Sequence, residues 1–239
     1  MIFNKFFILF KIGRKIGKSN IINIISETHK IPVPIKIFFS LLSFSFSSSK
    51  DTKSDSKDNL SASIQEMGTT FIRLGQFLAT RPDIIGEKLS KKLESLQDKL
   101  PPFSKKEAEK IIIENLGQSN FDNIIDFSDP IAAASIAQVH KAKIKEDNII
   151  KNVAIKVLRP NIKKIFNEEI DAIMLLAYII ESIITKTKRL KLIEVTFLFK
   201  EITNHEMDLR FEAAAANEYA ENTKNDLGFI VPKIYWNFT

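Results

Sequence analysis

Lys156 stands within residues 153–158, VAIKVL, a run whose β-branched residues predict a strand. The strand period of two puts Val153, Ile155 and Val157 on one face and Ala154, Lys156 and Leu158 on the other. An ammonium on a half-buried face needs an acid or an anion beside it, because burying it alone is costly. The alternative for Lys156 is an edge lysine that reaches out to solvent. The acids able to meet it lie in HEMDLRFEAAAANEY, residues 205–219, as Glu206, Asp208 and Glu212. At about 100° per residue of helix, Asp208 and Glu212 share a face, whereas Glu206 turns toward Arg210. Two carboxylates on one face repel unless a cation sits between them. Asp208 or Glu212 is therefore the expected partner of a lysine or a metal, with Glu212 better aimed beside the small alanine run. Glu206 is expected to form a surface ion pair with Arg210.

A second stretch, residues 130–140, reads PIAAASIAQVH: three alanines and a serine ahead of a strand, in a chain with only seven glycines. Kinases carry their ATP-binding lysine in a strand written much like VAIK and cover the phosphates with a loop of glycines. Here alanines occupy that place.

The elements that must hold these residues follow from local signals. Ser63 with Glu66 forms a capping-box pattern opening a helix with Met67, Phe71, Leu74 and Leu78 at 4-3-4 spacing. A further helix is expected over 86–99, ended by Pro101 and Pro102. A second capping box, Ser104 with Glu107, opens a helix that Gly117 ends. Residues 135–144 and 149–158, joined by KEDN, read as an antiparallel hairpin. Arg159-Pro160 stops the second strand, and Asn161 caps a helix, apolar nearly all round, that must be buried or paired with another. One helix over 193–222 and a strand in IVPKIYW complete the order: helices, hairpin, helices, strand.

Composition narrows the chemistry. With 44% hydrophobic residues in 239, the chain has enough apolar surface for a sizeable core. It has no cysteine, and its three scattered histidines (His29, His140, His205) give no ligand spacing, so a protein-built metal cage is not expected. The net charge of +6 lies wholly in residues 1–59, which hold ten Lys and Arg against four acids; residues 60–239 hold 25 of each. Lys5, Lys11 and Lys36 interrupt the apolar runs of that segment, which falls short of the roughly 20 residues of a spanning helix. It also lacks the order of a signal peptide, whose basic residues precede its apolar stretch. It is read as an amphipathic helix docked on its own protein or on an anionic membrane surface. No nucleic-acid module is present, so nucleic acid is not an expected partner. Residues 47–59 contain no apolar residue and read as a linker.

Taken in order, TTFIRLGQFLATRPDIIGEKLSKKLESLQDKLPPF, PIAAASIAQVHKAKI, VAIKVLRP, EMDLRFEAAAAN and VPKIYW resemble the blocks of the UbiB family of atypical kinase-like proteins, over about residues 60–239. The resemblance implies an α+β fold, a kinase-like N-lobe preceded by family-specific helices. The expected divisions are a basic amphipathic leader at 1–46, the linker at 47–59, a helical region at 60–129 and the N-lobe at 130–239. It further implies that Ala132, Ala133, Ala134 and Ser135 lie over a nucleotide, with Ala154 against the adenine. Lys156 and Glu212 would be the catalytic lysine and its helix glutamate. Glu206 and Asp208 match the family's ExD motif, and Arg73, Gly75 and Gln76 match its KxGQ motif, which gates the site. Arginine replaces the usual lysine, and its planar fork does not place donors where an ammonium would.

Kinase-like catalysis also uses a catalytic-loop Asp and Asn and a DFG Asp that holds metal. No HxD with a following Asn and no DFG occurs in these residues. The resemblance then implies the first part of such a protein, with the C-lobe absent and little activity alone. ATP and Mg are its implied cofactors, with the Mg ligands missing from this chain. The expected setting is peripheral, on the cytoplasmic side of a bacterial inner membrane. Ubiquinone-biosynthesis proteins or lipid intermediates are the expected partners. The competing reading is a non-catalytic membrane-associated or partner-binding module. A hydroxylase has nothing to rest on, since no GxGxxG follows a strand and no iron-ligand cluster is present.

Overall fold

The structure is a computed structural model describing residues 7, 8, 10–14, 60–96, 100–146 and 149–239. The expected linker and most of the leader lie outside the described residues. Two compact units are built, one from residues 1–98 and 164–200, the other from 99–163 and 201–239.

The first unit is helical: α1 (Leu60–Met67), α2 (Thr69–Ala79), α3 (Pro82–Ile85) and α4 (Glu87–Glu94), with most of α7 (Ile162–Ile183) and α8 (Leu192–Glu206). The first helix differs from expectation. It starts at Leu60, so Ser63 lies inside it rather than capping it. Leu60, Ile64 and Met67 are all buried, and sealing that row extends the helix upstream of the capping-box pattern. Gly68, at φ 103°, then breaks what 4-3-4 spacing reads as one helix, and Phe71 and Ile72 continue the core from α2. The helix expected over 86–99 is shorter: α4 follows Gly86, at φ 81°, and ends at Glu94 with Ser95 as its cap. The apolar helix α7 buries Phe166 and Ile170 while Tyr178 and Ile183 stay exposed. It is paired with α8 through Phe166 and Phe199 (ring centroids 5.7 Å apart) and through Lys200 Nζ to Asp171 (3.2 Å). From the leader, Ile12 is buried, and Ile8, Lys11 and Ile12 share a recess with Ile165, Glu168 and Glu169. Among the described residues no helix is long and apolar enough to cross a membrane.

The second unit holds the sheet: β1 (Ile124–Ile125), β2 (Pro130–Ala133), β3 (Ala137–Glu146) and β4 (Ile149–Leu158). The expected hairpin is β3 and β4, antiparallel from Ala137↔Leu158 to Glu146↔Ile149. β1 and β2 pair with the two ends of β3 along its other edge. The inner face is covered by α5 (Lys105–Leu116), whose Ala108 and Ile112 join Phe127, Ala142 and Val157 in one core, with Val153 and Ile155 packed against it. α5 begins at the expected capping box, where the Ser104 hydroxyl accepts from the Glu107 N–H and the Glu107 carboxylate accepts from the Ser104 N–H. It ends at Gly117, whose φ of 81° no side chain adopts easily. The short α6 (Gln118–Phe121) follows.

Four further expectations change. Residues 130–133 form a strand, and β3 begins at Ala137 rather than at residue 135. Asn161 adopts φ 57°, a left-handed bend ahead of α7. Residues 229–235 form no strand; Leu227 and Ile230 are exposed, Pro232 has no N–H for a ladder, and only a 3-10 turn, Trp236–Phe238, is regular. Finally, the helix expected over 193–222 is broken. α8 ends at Glu206, Met207 is buried, and Asp208 caps α9 (Leu209–Asn222).

Candidate functional site

The sheet register sets the site. Ala132 pairs with Val139, which pairs with Lys156, so the three form one lateral row across β2, β3 and β4. Cross-strand partners point to the same face, which puts the Ala132 methyl and the Lys156 side chain on one surface about 10 Å apart, two strand spacings. Lys141 and Ala154 form the next row of the same face. Val153, Ile155 and Val157 point the other way, into the core under α5.

Lys156 has its partner. Its Nζ donates to both oxygens of Glu212, at 2.8 Å to Oε1 and 2.6 Å to Oε2. Glu212 comes from the first turn of α9, where a carboxylate also suits the positive end of the helix dipole. The side chains remain 39% and 60% exposed, so the ammonium is held yet open to a ligand.

Asp208 is engaged elsewhere. As N-cap of α9 it accepts from the Arg210 N–H at 3.2 Å, and its two oxygens take the Arg210 fork at 2.8 and 2.5 Å. The expected ion pair of Arg210 with Glu206 is thus replaced by one with Asp208: the helix wheel assumed a single helix, and the break at Met207 changes the angle between the side chains. The hydrogen bonds from Arg210, with the nearby charge of Lys163, hold the Asp208 carboxyl well below the usual carboxylate range.

The alanine segment is more closed than a phosphate loop. Ala132 is exposed and Ala133 and Ala134 are half-buried, but Ser135 is 0% exposed, so its hydroxyl does not face a ligand. Beyond β2 the Ala134 N–H donates to the Ala137 carbonyl at 2.8 Å. The Ala134 carbonyl accepts from Arg159 Nε at 3.0 Å and Nη2 at 2.8 Å.

Two residues of the quoted blocks prove to be structural anchors. Gln138 accepts from the Phe103 N–H at 2.9 Å, donates to the Phe103 carbonyl at 3.2 Å, and lies 2.9 Å from His140 Nε2. His140 Nδ1 lies 2.9 Å from the Ser128 carbonyl, which only accepts. The ring proton is therefore on Nδ1, and Nε2 accepts from Gln138. His140 also stacks on Phe127, ring centroids 4.3 Å apart. The signal for these roles was present as two polar residues, Gln138 and His140, alternating with apolar ones on the side of the strand that faces the core.

Arg73, Gly75 and Gln76 lie on α2 in the first unit, while Glu206 and Asp208 belong to the second. Arg73 Nη1 donates to Gln76 Oε1 at 3.3 Å. A Cβ on Gly75 would sit 2.7 Å from Leu96 Cδ2, so this glycine lets the helix approach its neighbour closely. Among the described residues no three His, Asp or Glu side chains gather as a metal site.

Residues 95–239, more than half of the chain, match the ABC1 atypical kinase-like domain. The chain belongs to the UbiB family of atypical kinase-like proteins. It is 34% identical over 211 residues to the probable protein kinase UbiB of Marinobacter nauticus, covering 88% of this chain and 38% of that protein. To the probable protein kinase UbiB of Azotobacter vinelandii it is 34% identical over 180 residues, 75% of this chain and 33% of that one. To that of Pseudomonas aeruginosa it is 30% identical over 231 residues, 96% and 43%. The chain thus spans less than half the length of these bacterial relatives. No solved structure matches it. The four-stranded antiparallel sheet with its flanking helices is the kinase-like fold that membership in the UbiB family implies.

For ATP, which that family's kinase-like character points to, the residues present fit in part. A reachable lysine held by a carboxylate suits phosphate, and the small side chains of Ala132 and Ala154 leave its face open. For magnesium the described residues offer no acidic cluster, and Asp208 is tied to Arg210.

Proposed function

We propose that this chain carries the nucleotide-binding part of a UbiB-type atypical kinase or ATPase supporting ubiquinone biosynthesis. The observation that carries the reading is the Lys156–Glu212 pair on the same sheet face as Ala132 and Ala154. Bound ATP would supply a transferable phosphoryl group. Lys156 would meet its phosphates with an ammonium that Glu212 orients, and Ala154 would lie against the adenine. The alanine segment over the phosphates has its Ala134 N–H already donated to Ala137, so it offers fewer backbone donors than a glycine loop and narrows the choice of nucleotide.

By itself the chain is expected to turn ATP over slowly or not at all, since it holds no HxD–Asn or DFG sequence to carry magnesium. Arg73, Gly75 and Gln76 are read as a KxGQ-type motif, and Glu206 and Asp208 as an ExD-type motif. Peripheral association with the cytoplasmic face of a bacterial inner membrane, through the basic leader, would bring it to lipid intermediates or proteins of ubiquinone biosynthesis. Loss of liposome flotation on removing residues 1–46 supports this placement, and unchanged flotation removes it.

The test of the site is nucleotide binding by calorimetry. Lys156→Ala and Glu212→Gln are expected to weaken ATP binding at least about tenfold, the effect of losing one charge-assisted contact. Their melting temperatures should move little, because an ion pair this exposed contributes about 1 kcal/mol or less. Unchanged affinity in both variants refutes the assignment.

A further inference from the structure

Arg159 makes more long-range contacts to backbone than any sequence pattern announces. Besides the two bonds to the Ala134 carbonyl, Nη1 donates to the Pro101 carbonyl at 3.0 Å and Nη2 to the Leu100 carbonyl at 3.3 Å. Its own N–H donates to the Ile136 carbonyl at 2.8 Å, extending the β3–β4 ladder by one bond. Its guanidinium carbon lies 5.9 Å from the centre of the Phe103 ring. All these residues belong to the second unit.

The local sequence explains how the side chain is aimed. Pro160 restricts the preceding residue to extended backbone, so Arg159 continues the direction of β4. That brings its head to the turn after β2. The segment Leu100, Pro101, Pro102, Phe103 runs beside it and is held at its far end by Gln138, which bonds both backbone groups of Phe103. Two prolines leave this strap little freedom of its own. The turn at Ala134 is thereby tied, through one planar fork, to a stiff external strap.

We propose that Arg159 is a positioning residue: it holds the alanine turn closed against residues 100–103 and so sets which nucleotide the site prefers. The claim rests on the nucleotide reading given above. With the Ala134 carbonyl held by Arg159 and its N–H held by Ala137, the turn cannot rotate a peptide toward a phosphate. Releasing the fork frees that peptide and changes contacts at the outer phosphate, where ATP and ADP differ. Lysine keeps the charge but offers a single point of attachment, so Arg159→Lys should behave as an intermediate.

Two readouts on the full chain decide it. Hydrogen exchange of peptides covering residues 132–137 and 100–103 should rise together in Arg159→Ala and less in Arg159→Lys. The ratio of ATP to ADP affinity, measured by displacement of a fluorescent nucleotide, should change about fivefold in Arg159→Ala, the value of one net hydrogen bond. In Arg159→Lys it should change by less. A purely structural role would lower both affinities together and leave the ratio alone. Unchanged exchange overturns the latch. Raised exchange with an unchanged ratio overturns the claim about preference while leaving the nucleotide site standing. A wild-type chain that binds neither nucleotide overturns the site reading and the preference claim with it.

Discussion

Replacing Gln138 with leucine tests the network that holds the start of β3. Gln138 is 1% exposed and His140 is 0% exposed, so neither has water to fall back on. The substitution keeps the volume but removes three bonds: those with the N–H and carbonyl of Phe103 and the one with His140 Nε2. At about 0.5–1.5 kcal/mol net for each bond, with the ring nitrogen left unsatisfied, the expected loss is about 2–4 kcal/mol. The apolar leucine returns part of the desolvation cost, which keeps the estimate at the lower end. For a chain of this size each kcal/mol lowers the melting temperature by about 2–4 °C, giving a fall of about 4–16 °C by circular dichroism. The double variant Gln138→Leu, His140→Phe removes the orphaned nitrogen as well and retains the stack on Phe127, so it should recover about 1 kcal/mol relative to the sum of the single changes. A Gln138→Leu loss below about 0.5 kcal/mol, or strict additivity in the double variant, would refute the network as drawn.

Two other places respond to single substitutions. In Gly75→Ala the new methyl would lie 2.7 Å from Leu96 Cδ2. Overpacking of about 1–3 kcal/mol outweighs the gain of about 1 kcal/mol in helix propensity, so urea denaturation should show a net loss of about 1 kcal/mol; a gain would mean that Leu96 swings aside freely. Asp208 has a depressed folded-state pKa, so its contribution to stability is present above the ordinary carboxylate value and is lost as pH falls through the folded one. Asp208→Asn, which preserves a capping oxygen but removes the charge, should lower stability above about pH 5 and flatten its decline below about pH 4, so that variant and parent converge in acid. An unchanged acid limb in melts across that range would contradict the Arg210 clamp.

Much of the site was legible because it depends on short-range rules. Strand alternation in VAIKVL places Lys156 opposite the core face, and the acids of EMDLRFE narrow its partner to Asp208 or Glu212, the latter beside the small alanine run. The Ser104–Glu107 box and Gly117 bound α5 for equally local reasons, since each cap satisfies backbone groups within four residues. Family membership was legible from ordered blocks spread over most of the chain. The break at Met207 was not. Helical periodicity runs on through Asp208, and burial of Met207 decided in favour of a cap over another turn.

The sequence alone thus determined the hairpin, the strand lysine with two candidate acids, and the family. Tertiary structure decided the rest. It made the alanine run a strand with a locked turn, buried Ser135, and moved Arg210 from Glu206 to Asp208. It also interleaved the two units along the chain and gave Gln138 and Arg159 their roles. The physical reason is reach. Propensity, capping and periodicity act across a few residues. The carbonyls that Arg159 binds are up to 59 positions away, and the Phe103 backbone held by Gln138 is 35 away. Such donors and acceptors find each other only once the sheet has set its register.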